Sequence, residues 1–572
     1  MNNVTVEDKK YLEKTRKAIE KLLSEKTIRA EDGLDQIHSI SKYFWENKEN
    51  MDAIETCQIL RENENVANRT NEIIRDVRRL QKALSSPYFG RITFESDLDK
   101  KKRDLYIGTK AVIDGEDFYV LDWRSPVATM FFDSKLGDTS YVAPCGKVTG
   151  NLSARKQYKI VDGKIKRAIE SGLYINDDQL QETLSEASSN KMKNIVSTIQ
   201  EEQNDIIRDV NNKIIIVQGG AGSGKTAVGL HRLAFLLYQD EKATSQNMLI
   251  FSPNNMFSEY ISNVLPSLGE DSVMDTTFSD FASSFIKDFD RLETFSELIS
   301  NYYNGNLTKE EVRLNKFKFS DEYKKALDKY ILRISKEAKF KDNLKVCGVT
   351  LSKDVLNRRL ASYTDMSLQD KIDEVTRLIC AACRLDYKKE KENIKKTVKR
   401  CIMPTVSSRR LYHEFLISDE FEEASGVRKG IRDNKTLSFP DSIGMLYMNF
   451  ELFGYPKDNK VRHLIIDEVQ DYSPLQLTMI KKIFSGASIT ALGDVNQTVN
   501  PYFKYDSLEE LKKYFGKSKY VELNKAYRST PEIMNYSSAF ASDSPVSVRD
   551  EGSVPVKVKE VSKEDLHNEL VH

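Results

Sequence analysis

The sequence predicts an α/β protein centred on a parallel sheet, and three observations predict it. Short apolar runs at 213–218 (KIIIVQ), 247–252 (NMLIFS), 461–467 (VRHLIID), 488–494 (SITALGD) and 520–524 (YVELN) alternate with helical stretches. Such alternation marks a parallel sheet, because each crossover between parallel strands lays a helix on one face. The second observation is a glycine-rich turn, Gly219-Gly-Ala-Gly-Ser-Gly224-Lys225-Thr226, which follows the first run and opens a helix. The third is a pair of acids, Asp467-Glu468, ending the run HLII at the sheet edge beside that turn.

The chain reaches this sheet through two other textures. Residues 5–85 read as almost wholly helical, with no proline and Gly33 as the sole glycine. Leu12, Ile19 and Leu22, then Ile54, Ile59, Val66, Ile73, Val77 and Leu80, recur at spacings near three and four. The apolar stripe is thin and the other faces are charged, which predicts an antiparallel coiled coil reversing at Glu46–Asp52. Helices of about 35 residues would reach roughly 50 Å. A free-standing arm and a pair packed along a domain both satisfy the pattern.

Residues 86–200 read as a β-rich module with linker helices. Asp114-Gly115 and Asp162-Gly163 split its strands as hairpin turns, and helical sequence resumes over Asp178–Asn211. A charged, largely helical insertion at 286–440 interrupts the sheet domain, which therefore spans 201–285 and 441–520. Residues 521–572 begin a further domain. No internal repeat or low-complexity tract is present.

Composition sets limits. Of 572 residues 40% are hydrophobic and 30% charged, and no run approaches the roughly 18 apolar residues of a membrane helix. The start, MNNVTVEDKKYLEK, lacks a signal-peptide core, so a cytoplasmic protein without membrane association is expected. Eighty-seven basic residues balance 87 acidic ones, which argues against strong non-specific nucleic-acid affinity while leaving room for a local basic groove. The run Arg384–Arg400, with eight basic residues against Asp386, Glu390 and Glu392, reads as a solvated helix face. Six thinly spread cysteines suit a reducing compartment, and Cys380-Ala-Ala-Cys383 reads as helix core rather than a zinc or redox site.

The chemistry lies at the turn and the acids. Residues 219–226 match GxxxxGK[ST], a loop whose amides, from Gly219, Gly220, Ala221, Gly222, Ser223 and Gly224 onward, wrap phosphate at a positive helix end. Lys225 would reach the β- and γ-phosphates of a nucleotide, and Thr226 would ligate Mg²⁺. Asp467 would hold the Mg²⁺ through water, and Glu468 would orient and deprotonate the attacking water.

The residues after the acids narrow the class. Asp467-Glu468-Val469-Gln470-Asp471 resembles the DExQD box of superfamily 1 helicases of the UvrD/Rep/PcrA kind. Gln203 looks like that superfamily's adenine-reading glutamine. Ser252-Pro253-Asn254-Asn255 and Thr277-Phe278 fall where these enzymes contact single-stranded DNA. Gly493-Asp494-Val495-Asn496-Gln497 resembles GDxxQ, whose glutamine senses the γ-phosphate. Tyr502 falls where a base-stacking aromatic stands, though Asn500 replaces the usual tyrosine three residues after Gln497. Tyr527-Arg528-Ser529-Thr530 resembles YRST, which implies Tyr527 stacking on adenine and Arg528 touching the γ-phosphate. The resemblance thus implies a RecA-like P-loop NTPase with ATP and Mg²⁺ as cofactors.

A narrower resemblance comes from the N-terminal third. Pro87-Tyr-Phe-Gly-Arg-Ile, Tyr106-Ile-Gly, Asp122-Trp-Arg-Ser-Pro126 and Gly146-Lys-Val-Thr-Gly150 resemble the N-terminal blocks of the HelD family, bacterial ATPases related to helicase IV. That resemblance implies RNA polymerase as partner. In the family the coiled coil enters the secondary channel, the insertion wedges the main channel, and ATP use is linked to release of nucleic acid. A UvrD-type helicase or translocase binding DNA, and a non-catalytic polymerase-binding protein, are the alternatives. After Arg528 only 44 residues remain, too few for the rest of a second RecA-like lobe. The chain therefore reads as one with an incomplete second lobe, which binds ATP and hydrolyses it poorly, with the strand YVELN and the residues after it poorly packed.

Overall fold

Thr5 opens the first helix, α1 (Val6–Asn47), with a capping box shared with Asp8. Asp52 does the same with Glu55 for α2 (Ala53–Ser85). These boxes satisfy the amides a helix start leaves unpaired and fix where the chain reverses. The structure is a computed structural model. It describes all residues except 1–3, 171–198, 241, 255–260, 263, 267, 269, 364–365, 404–406, 428–434, 457, 459, 528, 541–545, 548–555 and 563–572.

The two helices run antiparallel, as the contacts step toward the turn. Lys26 pairs with Asp76, Gly33 lies against Thr70, and Asn63 Nδ2 donates to Ser41 Oγ at 3.5 Å. At Gly33 a Cβ would stand 2.3 Å from Thr70 Oγ1, so only glycine admits this approach. At 42 residues α1 is about 63 Å long, longer than expected from the sequence. Its root is buried. Asp8, Leu12, Thr15, Ala18 and Ile19 sink into a sheet, while Tyr43, Trp45 and Ile54 at the other end are 57–69% exposed. One end of the helix pair is thus packed and the other exposed.

That sheet has seven strands: β1 (Gly90–Ser96), β2 (Lys102–Gly108), β3 (Val112–Asp114), β4 (Asp117–Asp122), β5 (Gly137–Ala143), β6 (Gly146–Val161) and β7 (Lys164–Glu170), with the short helix α3 (Thr129–Asp133) between β4 and β5. Their order is 3-4-2-1-6-5, with β7 beside β6. The predicted turns are present. Asp162 and Gly163 both take positive φ, as does Gly115, which the tight β6–β7 and β3–β4 reversals require. The arm is pinned here by a buried group: Lys156 Nζ (2.6 Å) and Tyr158 Oη (2.7 Å) both donate to the Asp8 carboxylate. The Tyr11 and Tyr106 rings stack beside it with centroids 3.6 Å apart.

The central domain is a six-stranded parallel sheet of β8 (Ile214–Gly219), β9 (Met248–Phe251), β10 (Met274–Thr276), β11 (His463–Ile466), β12 (Ser488–Gly493) and β13 (Lys519–Leu523), in the order 10-9-11-12-8-13. One expectation is corrected. The strand of YVELN is not the start of a second domain: β13 pairs in register with β8 as an edge of the first sheet, and Leu523 is buried. The 520/521 boundary therefore cuts a strand. The β-rich module shares a core with this sheet. Alternation along β8 sends Ile214 and Ile216 to one face and Ile215 and Val217 to the other, where they share a core with Ile92, Trp123 and Phe131 of the module.

The opposite face carries the insertion. Two-residue strands at Arg291–Leu292 and Thr436–Leu437 pair at its root, and most of its described residues are helical. On the 387–401 helix Lys388, Lys389, Lys391, Lys396 and Arg400 are exposed, while Lys395 pairs with Asp373 and Lys399 lies over the Phe453 ring; Cys380 is buried in the helix Leu368–Ala382. Among the described residues no His/Cys/Asp/Glu cluster could hold a metal on its own, and no helix is long and apolar enough to cross a membrane.

Candidate nucleotide site

The site forms where β8 ends and helix α5 (Lys225–Gln239) begins; the preceding helix, α4 (Glu201–Ile207), leans on the same turn. Gly222 and Gly224 both have positive φ, 78° and 81°, which lets the loop curl without steric cost. Lys225 is 7% exposed and its Nζ donates back to Gly219 O at 2.6 Å, so the cation sits inside the loop. Ser223 Oγ is buried with no partner among the described residues. Ala221 forms the exposed crest, and Gly220 O accepts from Ser223 N at 3.1 Å. A buried cation, an unmatched hydroxyl and the free amides of a helix start make a cradle that fits the polyphosphate of a nucleotide.

The acids meet this loop from β11. Thr226 Oγ1 donates to Asp467 Oδ2 at 2.9 Å, which brings the two predicted Mg²⁺ ligands together. Asp467 is 1% exposed. Burial, with the neighbouring Glu468 charge adding, pushes its carboxyl up to about 6 against the Thr226 hydrogen bond. A hard divalent cation suits an oxygen pair so placed. Glu468 is half-buried and held at φ 49°, a left-handed conformation costly for a side chain with a Cβ.

Gln470 explains how that conformation is kept. It is 1% exposed, its Nε2 donates to Glu468 Oε2 at 2.8 Å, and its Oε1 accepts from Asp494 N at 3.0 Å. Gln497 Nε2 in turn donates to Asp494 Oδ2 at 2.7 Å, and Gln218 Nε2 from the end of β8 donates to Asp494 Oδ1 at 3.2 Å. Gln497 is therefore linked to the acids through Asp494 and Gln470 rather than by a direct contact. In the sequence Gln470 is only one letter of the DExQD box, and nothing local there signals its bracing role.

The outer side of the loop is built from α4. Gln203 is 8% exposed and its Nε2 donates to Ser223 O at 3.1 Å. Tyr527 is 7% exposed; its backbone N–H donates to Gly222 O at 2.9 Å and its hydroxyl to Glu202 Oε1 at 2.9 Å. Gln203 and Tyr527 thus hold adjacent loop residues, Ser223 and Gly222, and Glu202 is a neighbouring residue the sequence did not single out. Arg528 and Asn255 lie outside the described residues.

Tyr502 is a correction. It is 1% exposed, stacks on Phe319 with centroids 5.6 Å apart and receives a hydrogen bond from Asn315 Nδ2, so it belongs to the core between motor and insertion rather than to a base-stacking surface. By contrast Ser252, Pro253, Thr277 and Phe278 line a small cavity of about 40 Å³ together with Glu468 and Asp471.

Comparison with known proteins matches this division of the chain. The UvrD/REP helicase N-terminal domain matches residues 199–503. The chain belongs to the UvrD/REP helicase family. Residues 5–187 match a second description, the N-terminal domain of DNA helicase IV, HelD. A "Probable DNA helicase II homolog" from Mycoplasma capricolum is 22% identical over 368 residues, 61% of this chain and 41% of that relative. The chain thus spans less than half the length of the curated relative it matches. With the HelD-type N-terminal domain joined to a UvrD/REP motor, this is a superfamily 1 helicase-type ATP-binding protein of HelD character.

Proposed function

We propose that this UvrD/REP-family chain is a HelD-like motor protein that binds RNA polymerase and promotes its release from nucleic acid, with ATP hydrolysis linked to release. The observation that carries the reading is the arm, whose root is buried in the module fused to the motor and whose tip is free. Around the turn, Glu46, Glu49, Asp52, Glu55, Glu62 and Glu64 stand against Lys48 and Arg61. Phe44 and Trp45 pack edge to face beside them, with Lys48 over the Trp45 ring at 4.5 Å. An acidic, aromatic tip on a stiff lever suits insertion into a basic channel better than packing within one molecule.

Within the cleft, Lys225 and the loop amides would bind the β- and γ-phosphates of ATP, and Thr226 and Asp467 would hold Mg²⁺. The metal, when bound, neutralises charge on the phosphates. Glu468, fixed by Gln470, would accept a proton from the attacking water, Gln497 would sense the γ-phosphate, and Arg528 would touch the γ-phosphate. Gln203 and Tyr527 read and stack on adenine.

A second reading, a DNA helicase or translocase, draws on the cavity that Ser252, Pro253, Thr277 and Phe278 share with Glu468; the burial of Tyr502 counts against it. One experiment separates them. Stalled polymerase complexes carrying labelled nucleic acid are mixed with the chain and Mg-ATP. Release of the label that depends on the chain supports the proposal. Phosphate release driven by single-stranded DNA alone, with stalled complexes intact, supports the second reading.

A further inference from the structure

We propose that Arg208 is a positioning residue for adenine recognition, which makes the β-rich module part of the nucleotide site. This rests on the reading of Gln203 as the residue that recognises adenine. The helix that carries Gln203, α4, has only seven residues and too few internal bonds to hold itself. Its far end is held by the module. Arg208 donates from Nη2 to Trp123 O at 2.6 Å and from Nη1 to Arg124 O at 3.2 Å and Ser125 O at 3.3 Å. Its Nε donates to Asn204 Oδ1 at 3.0 Å, and Asn204 Nδ2 donates to Asp133 Oδ2 of the module at 2.6 Å. Asn204 is 1% exposed and immediately follows Gln203.

The segment that Arg208 grips is itself immobilised against the phosphate-loop helix. Trp123 is fully buried with its ring edge-on to His231 of α5, centroids 5.7 Å apart. Arg124, 1% exposed, is locked to Asp122 by bonds of 2.8 Å from Nε and Nη2, donates to Ala234 O of α5 at 3.3 Å, and pairs with Glu270. From the motor side Arg232 Nη1 donates to Ile206 O at 2.6 Å, closing the last carbonyls of α4. A planar guanidinium spanning three carbonyls fixes direction as well as distance, which an ammonium does not. The Asp122–Ser125 segment thus acts as the back wall of the adenine side.

Adenine recognition and phosphate binding are then separable by measurement. Equilibrium binding of Mg-ATP and Mg-GTP is measured for the full chain and for Gln203→Ala, Arg208→Lys and Asn204→Ala. Arg208→Lys and Asn204→Ala are expected to weaken ATP about tenfold while GTP changes less than about twofold, matching the pattern of Gln203→Ala. Retained GTP affinity reports that the phosphate loop is folded. In the unaltered chain, ATP should slow hydrogen exchange at 122–133 and GTP should not. Three results overturn the proposal: unchanged ATP preference in Arg208→Lys and Asn204→Ala while Gln203→Ala loses it; equal loss of both nucleotides; or exchange at 122–133 indifferent to the base. Unchanged preference in Gln203→Ala overturns the reading beneath it instead, and this proposal falls with it.

Discussion

The nucleotide cleft and the tip of the arm use opposite designs. In the cleft nearly every side chain is committed: Lys225 to Gly219 O, Thr226 to Asp467, Gln470 to both Glu468 and Asp494, Gln203 to Ser223. At the tip Tyr43, Trp45 and Ile54 are 57–69% exposed and packed on no core. Preorganised groups lower the cost of binding a small charged ligand. Exposed aromatics on a stiff support are what a large partner can bury. One region is thus defined by fixed geometry and the other by the composition of an exposed surface. It also makes the two separable by mutation.

The largest effect concerns the anchorage that keeps them apart. Asp8 is fully buried beneath Lys156, 3% exposed, so Asp8→Ala leaves a buried cation unpaired and should cost about 3–5 kcal/mol in denaturant unfolding. A loss under about 1 kcal/mol would mean the root is not what holds the arm. Next, Lys225→Ala should weaken Mg-ATP binding by at least about a hundredfold in calorimetry, without altering any capture of polymerase by the tip. Loss of both together would break the separation. Smaller again, Trp45→Ala combined with Glu49→Asn should lower polymerase affinity roughly tenfold and leave ATP affinity unchanged. Asp52 is better replaced by Asn than by Ala, because its Oδ1 caps α2 by accepting from Ile54 N at 2.7 Å and Glu55 N at 2.8 Å.

The smallest effect is one of pH. Burial pushes the Asp133 carboxyl from 3.8 up to about 7, against its hydrogen bond from Asn204 and the nearby Arg208. A raised carboxyl means the folded state holds a proton that the unfolded chain has lost, so the penalty grows as pH rises from about 4 and is complete above about 7. Asp133→Asn should therefore melt higher than the parent chain at pH 8, with the gap closing as the pH falls toward 4. A gap that widens on acidification would contradict the sign. The amide oxygen can still accept from Asn204, so nucleotide preference should not change.

Much of this molecule is legible residue by residue. The phosphate loop, Asp467, the reversal at Glu46–Asp52 and the turns at Gly115 and Gly163 announce themselves because each rests on a local rule: a loop that must curl, an acid at a strand end, a cap, a positive φ. The parts that are not legible depend on contacts across long separations. Arg124 meets Ala234, and Arg208 meets Trp123, only after the module has docked on the motor, so Asp122–Ser125 reads in the sequence as a family block without a physical role. Tyr502 and β13 mislead for the same reason: a local letter pattern is right while its surroundings are not. The tip aromatics Tyr43–Trp45 escape notice because an apolar run in a helix is ordinarily core, and only the length of α1 carries them beyond it.

The central claim is that a UvrD/REP motor here serves an arm that engages RNA polymerase. Its most direct test is co-elution of the purified chain with core RNA polymerase, compared with a chain in which the turn at 43–55 is replaced by a short capped loop. A stoichiometric complex with the full chain, a much weaker one with the shortened arm, and equal Mg-ATP affinity in both are expected. A full chain that binds ATP yet elutes apart from polymerase, or a shortened arm that binds polymerase as tightly as the full one, would contradict it.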